Sequence, residues 1–306
     1  MSSLPALHSA RVIAADIKIA HSVFALPFAV LAAFMAAAPP ATAIDWSRFG
    51  TQLALIVIAM VLARTVAMLA NRLIDRRLDA ANPRTAGRAL PSGRLSVPLA
   101  RGVLLGCAAL FMVTCGLFGV LDGNWWPAGL GGPVLVWIAA YGYFKRFTAA
   151  CHLYLGSALA ISPLAAAIAI DPGTLATQPA LWLLAAMVLL WVAGFDIIYA
   201  LQDLAHDRAA GLRSVPAWLG SGRARLVSAT LHAGSAAALI AVAVVDPRFG
   251  WRLDLAVAAV VTLLLLEHLT VARWGTSRIA LSFFTLNGVI SVALGVAGVM
   301  DVLGGV

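Results

Sequence analysis

The chain has 306 residues, of which 62% are hydrophobic and only 11% are charged, and its mean hydropathy is +0.95. Soluble domains carry about 25% charged residues, so this composition excludes an ordinary soluble protein and indicates a polytopic membrane protein. The net charge of +8 does not indicate nucleic-acid binding, because the sequence holds no soluble basic domain that would bind nucleic acid.

Apolar stretches long enough to cross a bilayer, about 17 to 25 residues each, recur along the whole chain. We predict nine membrane helices, near residues 22–38, 51–70, 99–121, 128–144, 149–170, 180–199, 226–245, 253–271 and 281–300. The first run precedes the small residues 41–43 but is longer than the core of an ordinary secretory signal, so we expect a span rather than a leader. Residues 1–306 are predicted to form a single all-α domain, a helical bundle around a central cavity that opens to the cytoplasm.

Basic residues predict the orientation of this bundle. Of the 21 Lys and Arg residues, 17 lie before the first predicted span or after the second, fourth, sixth and eighth. The positive-inside rule therefore predicts a multi-pass protein of the inner (plasma) membrane with a cytoplasmic N-terminus. The segments 80–95 and 204–223 are expected to be cytoplasmic loops.

Two clusters of polar residues end apolar runs in corresponding places. On the second predicted helix, four residues are separated by 7, 4 and 4 positions: Arg64, Asn71, Asp75 and Asp79. On the sixth, four residues are separated by 3, 4 and 4 positions: Asp196, Tyr199, Asp203 and Asp207. Such spacings place side chains on one face of a helix. Carboxylates near hydrocarbon are costly and usually functional, so we expect both stripes to project into one cavity.

The chemistry of these residues favours a diphosphate. Paired carboxylates offer oxygen ligands to Mg²⁺, which in turn can hold a diphosphate. The cytoplasmic segments add cations suited to phosphate oxygens, namely Arg84, Arg88, Lys145, Arg146, Arg208 and Arg213. The alternative for the carboxylates is interhelical salt bridging, and any single Arg can simply follow the positive-inside rule.

Three segments resemble the UbiA superfamily of intramembrane prenyltransferases. They are NRLIDRRLDAANPRTAGRALPSG at residues 71–93, YGYFKRFT at 141–148 and FDIIYALQDLAHDRAAGLRSVP at 195–216. Within the superfamily the chain looks most like the 4-hydroxybenzoate polyprenyltransferases and their relatives in menaquinone synthesis, whose openings resemble residues 18–28. One departure is that the first motif begins Asn71-Arg72 where many members have Asn-Asp, so this chain lacks one further carboxylate.

The resemblance implies a role for each site residue. A diphosphate would be bound through Mg²⁺ by five catalytic or metal-binding residues: Asn71, Asp75, Asp79, Asp203 and Asp207. Arg88, Lys145 and Arg146 would steady the phosphates, and Arg64 and Tyr199 would lie in the substrate cavity. For Arg64, which needs an anionic partner inside a span, the two alternatives are a pair with Asp196 and the carboxylate of an aromatic acid.

The implied reaction transfers a polyprenyl group from polyprenyl diphosphate to an aromatic acid such as 4-hydroxybenzoate, with Mg²⁺ as cofactor, in ubiquinone biosynthesis. A dihydroxynaphthoate-type acceptor of menaquinone synthesis is the alternative. A transporter is the rival from another class, but carriers usually hold their charges near the bilayer midplane, whereas both clusters here lie at cytoplasmic ends. A CDP-alcohol phosphotransferase would carry one contiguous Asp-rich signature instead of two.

Glu267 and His268 are neighbours in the eighth predicted span. A membrane-embedded acid beside a histidine can form a proton relay. The alternative, which we favour, is an interhelical pair with a structural role.

Overall fold

A computed structural model describes residue 13 and residues 24–39, 44–279 and 285–304. The start of the opening motif, residues 18–23, the small residues 41–43 and the beginning of the ninth predicted span lie outside the described residues. Regular structure within the described ranges is helical throughout, as the sequence predicts.

Eleven α-helices occur within the described residues, and two are shorter than eight residues. In chain order they are α1 (Leu26–Ala37), α2 (Trp46–Ala81), α3 (Val97–Asp122), α4 (Trp126–Phe144), α5 (Cys151–Ile170), α6 (Thr174–Thr177), α7 (Pro179–Ala200), α8 (Leu204–Ala209), α9 (Val215–Val245), α10 (Trp251–Trp274) and α11 (Asn287–Gly304). The 3₁₀ turns Leu201–Asp203 and Gly275–Arg278 follow α7 and α10.

Seven of the described helices are long and apolar enough to cross a membrane. They are α2, α3, α5, α7, α9, α10 and α11, where the span of α7 continues through the 3₁₀ turn and α8 to Ala209 and that of α10 continues through its 3₁₀ turn to Arg278. The predicted spans 22–38 and 128–144 correspond to α1, which has only 12 residues, and to α4, in which Gly and Pro residues dilute the apolar run. The number of nine spans therefore stays a prediction.

Helix α7 lies at the centre of the bundle, where it packs most closely against α9 and α5. Its Trp191 is fully buried and contacts the rings of Phe24, Phe28 and Phe195. The indole Nε1 donates a hydrogen bond of 2.7 Å to Oδ1 of Asn287 on α11. A buried indole N–H needs such an acceptor, so this contact ties α11 to the core.

The residues Glu267 and His268 have different partners in this core. Asn287 Nδ2 donates to Glu267 Oε1 at 3.3 Å, while the ring of His268 lies 3.0 Å from Nδ1 of His232. Each therefore joins α10 to a different helix, as the interhelical alternative predicts. The relay between the two neighbours stays a hypothesis.

Helix α2 carries the first cluster because it continues well past its apolar run. Its 36 residues span roughly 54 Å at 1.5 Å per residue, whereas the hydrocarbon of a bilayer is about 30 Å thick. The predicted span 51–70 is therefore only the middle of a helix that continues to Ala81. The uninterrupted helix places Asn71, Asp75 and Asp79 on one face, as their spacing predicts.

The four residues of the second cluster do not share one helical face as predicted, because α7 ends at Ala200. The chain then forms a 3₁₀ turn, which has three residues per turn, before α8 begins at Leu204. Asp203 and Asp207 therefore do not continue the helical stripe of Asp196 and Tyr199. The predicted loop 204–223 is also mostly helical, since α9 starts at Val215 and is interrupted only at Gly220, where φ is +79°.

Candidate active site

One cavity of about 780 Å³ lies between α2, α4, α5 and α7. Ten of the eleven predicted site residues line it: Arg64, Asn71, Asp75, Asp79, Arg88, Lys145, Asp196, Tyr199, Asp203 and Asp207. Arg146 is absent from the lining but contacts it through Asp75. The structure thus brings the two clusters together, although they are 128 positions apart along the chain.

Asp75 is the most buried carboxylate of the first cluster, with only 2% of its surface exposed. Its Oδ2 lies 2.6 Å from Nζ of Lys145, and its Oδ1 accepts a hydrogen bond of 2.9 Å from Nη2 of Arg146. Asn71 Nδ2 also donates to Oδ2, at 3.1 Å. Two cations from the end of α4 therefore converge on one buried carboxylate of α2.

Asp79 lies one helical turn further along α2 and is paired with the following loop. Arg88 Nη1 lies 2.7 Å from its Oδ1, and Thr85 Oγ1 donates to its backbone carbonyl. Its other oxygen, Oδ2, is buried and has no hydrogen-bond partner among the described residues. A buried carboxylate oxygen without a donor is costly, so this atom could serve as a metal ligand without losing an existing contact.

Asp203 carries the second cluster's main ion pair. Both of its oxygens accept hydrogen bonds from the guanidinium of Arg84, and Asn82 Nδ2 donates to Oδ1 at 2.9 Å. Arg84 Nη1 also donates to the hydroxyl of Tyr199 at 2.9 Å. Burial lowers the pKa of Arg84, but its contacts with Asp203 and Tyr199 outweigh burial and raise the pKa above its ordinary value.

Asp207 is held from the start of α9. Ser214 Oγ donates a hydrogen bond of 2.7 Å to Asp207 Oδ2. The same hydroxyl caps α9 by accepting from the backbone N–H of Ala217, which is the ordinary role of a serine at this position. The loop 210–214 therefore fixes the last carboxylate of the second cluster.

Arg64 and Asp196 both line the deeper part of the cavity. Asp196 Oδ2 lies 2.6 Å from Nδ1 of His152 on α5, and His152 is its hydrogen-bond partner among the described residues. The alternative in which Arg64 pairs with Asp196 is therefore not adopted. Arg64 shares the cavity lining with aromatic side chains, including Phe111, Phe118, Trp137 and Tyr141.

The donor set fits a hard divalent cation, although no preformed cluster of three acidic, His or Cys ligands occurs among the described residues. Carboxylate and amide oxygens are the ligands that Mg²⁺ prefers, and it commonly completes its shell with phosphate oxygens. Asp79 Oδ2 is the one site carboxylate oxygen that is buried without a partner. The residues present are therefore compatible with Mg²⁺ that arrives together with a phosphate ligand.

Sequence reasoning missed three residues that build the site. Asn82 and His152 hold Asp203 and Asp196, and Ser214 holds Asp207. Asn82 and Ser214 have a local signal, since each stands at a helix end where capping residues are frequent. His152 has none, because its partner is 44 positions away.

The model of the UbiA prenyltransferase family matches residues 25–289. The chain is 34% identical over 168 residues to a 4-hydroxybenzoate octaprenyltransferase of Nitrosomonas europaea, covering 55% of each protein. It is 30% identical over 207 residues to one of Saccharophagus degradans, covering 67% of this chain and 64% of the relative. These matches thus span between about half and two thirds of the relatives' length.

Solved structures share the fold. The apo structure of a UbiA homologue from Aeropyrum pernix K1 superposes with a TM-score of 0.79 at 29% identity, covering 92% of this chain and 98% of that one. A UbiA homologue from Archaeoglobus fulgidus, bound to GPP and Mg²⁺, superposes with a TM-score of 0.71 at 17% identity, covering 95% and 99%. The resemblance seen in the motifs is confirmed, and the chain belongs to the UbiA prenyltransferase family.

Proposed function

We propose that the chain transfers a polyprenyl group from polyprenyl diphosphate to an aromatic acid, 4-hydroxybenzoate, in ubiquinone biosynthesis. The observation that carries this proposal is the convergence of both carboxylate clusters, with their cations, on one cavity whose deeper lining is apolar. A polar end suits a diphosphate and an apolar end suits a prenyl chain. The names of the relatives in Nitrosomonas europaea and Saccharophagus degradans support the same acceptor.

The cations of the site have a second task in this proposal. Lys145 and Arg146 neutralise Asp75, Arg88 neutralises Asp79, and Arg84 neutralises Asp203. Guanidinium and ammonium groups bind phosphate oxygens as readily as they bind carboxylate oxygens. We expect these side chains to exchange a carboxylate for a phosphate when the diphosphate binds.

Mg²⁺ would be held by Asn71, Asp75, Asp79, Asp203 and Asp207, whose oxygen donors suit it. When bound, it supplies positive charge that stabilises the departing diphosphate. The Oδ2 atom of Asp79, buried without a donor, is a ligand that needs no existing contact to break. Asp75 and Asp203 must first release their cations.

The reaction itself breaks the allylic C–O bond, and both bonding electrons leave with the diphosphate. A ring carbon of the acceptor then forms a C–C bond to the allyl cation, and the proton on that carbon passes to the released diphosphate as the base. Aromatic rings stabilise nearby cations through their faces, and Phe111, Phe118 and Tyr141 line the cavity where the cation would form. The rest of the prenyl tail can leave sideways into lipid.

The proposal is tested by incubating membranes that contain the chain with labelled polyprenyl diphosphates and a panel of aromatic acids. Label is expected in prenylated 4-hydroxybenzoate. Label in a dihydroxynaphthoate product would select the menaquinone alternative. Absence of label in every product at saturating Mg²⁺ would contradict the proposed activity.

Arg64 is proposed to bind the carboxylate of the aromatic acid. Replacing Arg64 with Leu should raise KM for the acid roughly 10-fold or more, as expected for loss of one charged hydrogen bond, and leave KM for the prenyl diphosphate nearly unchanged. Steady-state kinetics with each substrate varied in turn measures this. The variant Arg48→Leu is the control, since Arg48 pairs with Asp122 outside this cavity. Equal changes in both KM values would favour a structural role.

We also propose an inner-membrane location with the loop 80–95, like the segment 204–223, in the cytoplasm. The exposed Ser92 lies in this loop, whereas the exposed Ser47 lies at the other end of α2. In intact cells, an impermeant thiol reagent should label Ser47→Cys and spare Ser92→Cys, with the unmodified chain as background for its native cysteines. The reverse pattern would invert the topology.

A further inference from the structure

His152 occupies a buried position between three helices beside the cavity. It lies on α5 and has only 3% of its surface exposed. Its Nδ1 is 2.6 Å from Oδ2 of Asp196 on α7. Its Nε2 is 3.2 Å from the backbone nitrogen of Val215, the first residue of α9. Both ring nitrogens therefore have a partner.

These two partners determine the tautomer of the ring. The backbone N–H of Val215 can only donate, so Nε2 must accept and cannot carry a proton. The remaining ring proton is then on Nδ1, which donates it to the carboxylate of Asp196. The N–H of Val215 lies at the start of a helix, where backbone N–H groups have no partner within their own helix. With the proton on Nδ1, the N–H groups of both Val215 and His152 therefore have an acceptor.

The hydrogen bond from His152 occupies Oδ2 of Asp196 and leaves Oδ1 available for a ligand. Oδ1 has no donor among the described residues, and the side chain lines the cavity with 23% of its surface exposed. Asp196 lies on α7, whereas Asp203 ends the 3₁₀ turn that follows this helix, so Asp196 lies further into the bundle. An acceptor oxygen is thus held at a fixed place below the proposed diphosphate site.

We infer that His152 is a positioning residue whose Nδ1–H orients Asp196 to accept a hydrogen bond from the hydroxyl group of the aromatic acceptor. The inference rests on the proposed function. In it, Asp196 binds the hydroxyl end of the acceptor, and Arg64 binds the carboxylate end. A hydroxyl that donates to a carboxylate makes its ring more electron-rich. The same contact therefore serves both binding and reactivity.

Two substitutions separate this role from a structural one. In His152→Asn the side-chain amide nitrogen takes the place of Nδ1, so donation to Asp196 is kept while Val215 loses its acceptor. In His152→Gln the amide reaches the place of Nε2, so its oxygen can accept from Val215 while Asp196 loses its donor. A residue that only caps α9 would tolerate Gln better than Asn.

The readout compares binding of 4-hydroxybenzoate and benzoate, which differ only in the hydroxyl group, by calorimetry on purified protein. The wild type should bind 4-hydroxybenzoate roughly 10-fold or more tighter, as expected for a hydrogen bond to a charged group. His152→Asn should keep this preference with a lowered Tm, and His152→Gln should lose it with a Tm near that of the wild type. Preference kept by Gln and lost by Asn would overturn the inference.

A measurement on the wild type covers the case in which neither variant folds. Nitrogen NMR of the labelled protein should find His152 neutral, with the proton on Nδ1. A proton on Nε2, or on both nitrogens, would overturn the inference. If both acids bind but no prenyl group is transferred, the proposed reaction is wrong and the binding test of His152 remains valid. If the wild type transfers prenyl groups but does not prefer the acid with the hydroxyl group, only the inference about His152 and Asp196 is wrong.

Discussion

Replacing Asp75 with Asn is expected to reduce prenyl transfer by at least about 10³-fold while the protein still inserts in the membrane. Asp75 is 2% exposed and holds Lys145 and Arg146 through separate oxygens. Asn has similar size but no charge, so both the cations and any bound metal lose their counter-ion. Removal of one preorganised neutral donor already costs about 10²–10³ in rate, and Asp75 contributes a full charge. The initial rate per folded protein in membranes measures the effect.

The matched control is Asp171→Asn, which changes a carboxylate in the turn after α5. Asp171 Oδ1 accepts a hydrogen bond from the N–H of Gly173 and lies outside the cavity lining. This variant should transfer at nearly the wild-type rate. If Asp75→Asn does not fold, the double variant Asp75→Asn with Lys145→Met removes one uncompensated cation and should recover folded protein without turnover. Near wild-type transfer by either Asp75 variant would remove Asp75 from the mechanism.

The face that carries Asn71, Asp75 and Asp79 could be predicted because it depends only on helical periodicity. α2 continues without a break from Trp46 to Ala81, so a spacing of four residues gives neighbours on one face. The same rule failed after Tyr199, where α7 gives way to a 3₁₀ turn. Such a change of helix type is set by local packing, which the spacing of polar residues does not report.

The partners of the carboxylates could be predicted as a class but not one by one. Charge and position identified Arg88, Lys145 and Arg146 as site cations, and each lies against a motif carboxylate. The pairing of His152 with Asp196 depends on how α5 packs on α7. That packing is long-range, and no pattern in one sequence specifies which two side chains meet.

The ion pairs between carboxylates and cations also limit how the metal can bind. Taking Asp75 or Asp203 as a metal ligand without a diphosphate would leave Lys145 or Arg84, which are both partly exposed, without a counter-ion and facing a second cation, which is unfavourable. With a diphosphate present, the same side chains have phosphate oxygens as new partners. Metal and diphosphate should therefore bind with positive coupling, which by linkage is reciprocal.

Removing divalent metal with excess EDTA is thus expected to stop prenyl transfer completely, and added Mg²⁺ should restore it. Calorimetry with a non-reactive prenyl thiodiphosphate gives a sharper test, because Mg²⁺ should bind at least about 10-fold more tightly when the analogue is present. Arg84→Ala frees Asp203 from its ion pair and should reduce this coupling by raising metal affinity in the absence of the analogue. Tight Mg²⁺ binding to the wild type alone would mean that the carboxylates release their cations without help from a phosphate. Transfer that continues in EDTA would leave stabilisation of the departing diphosphate to Lys145, Arg146 and Arg88.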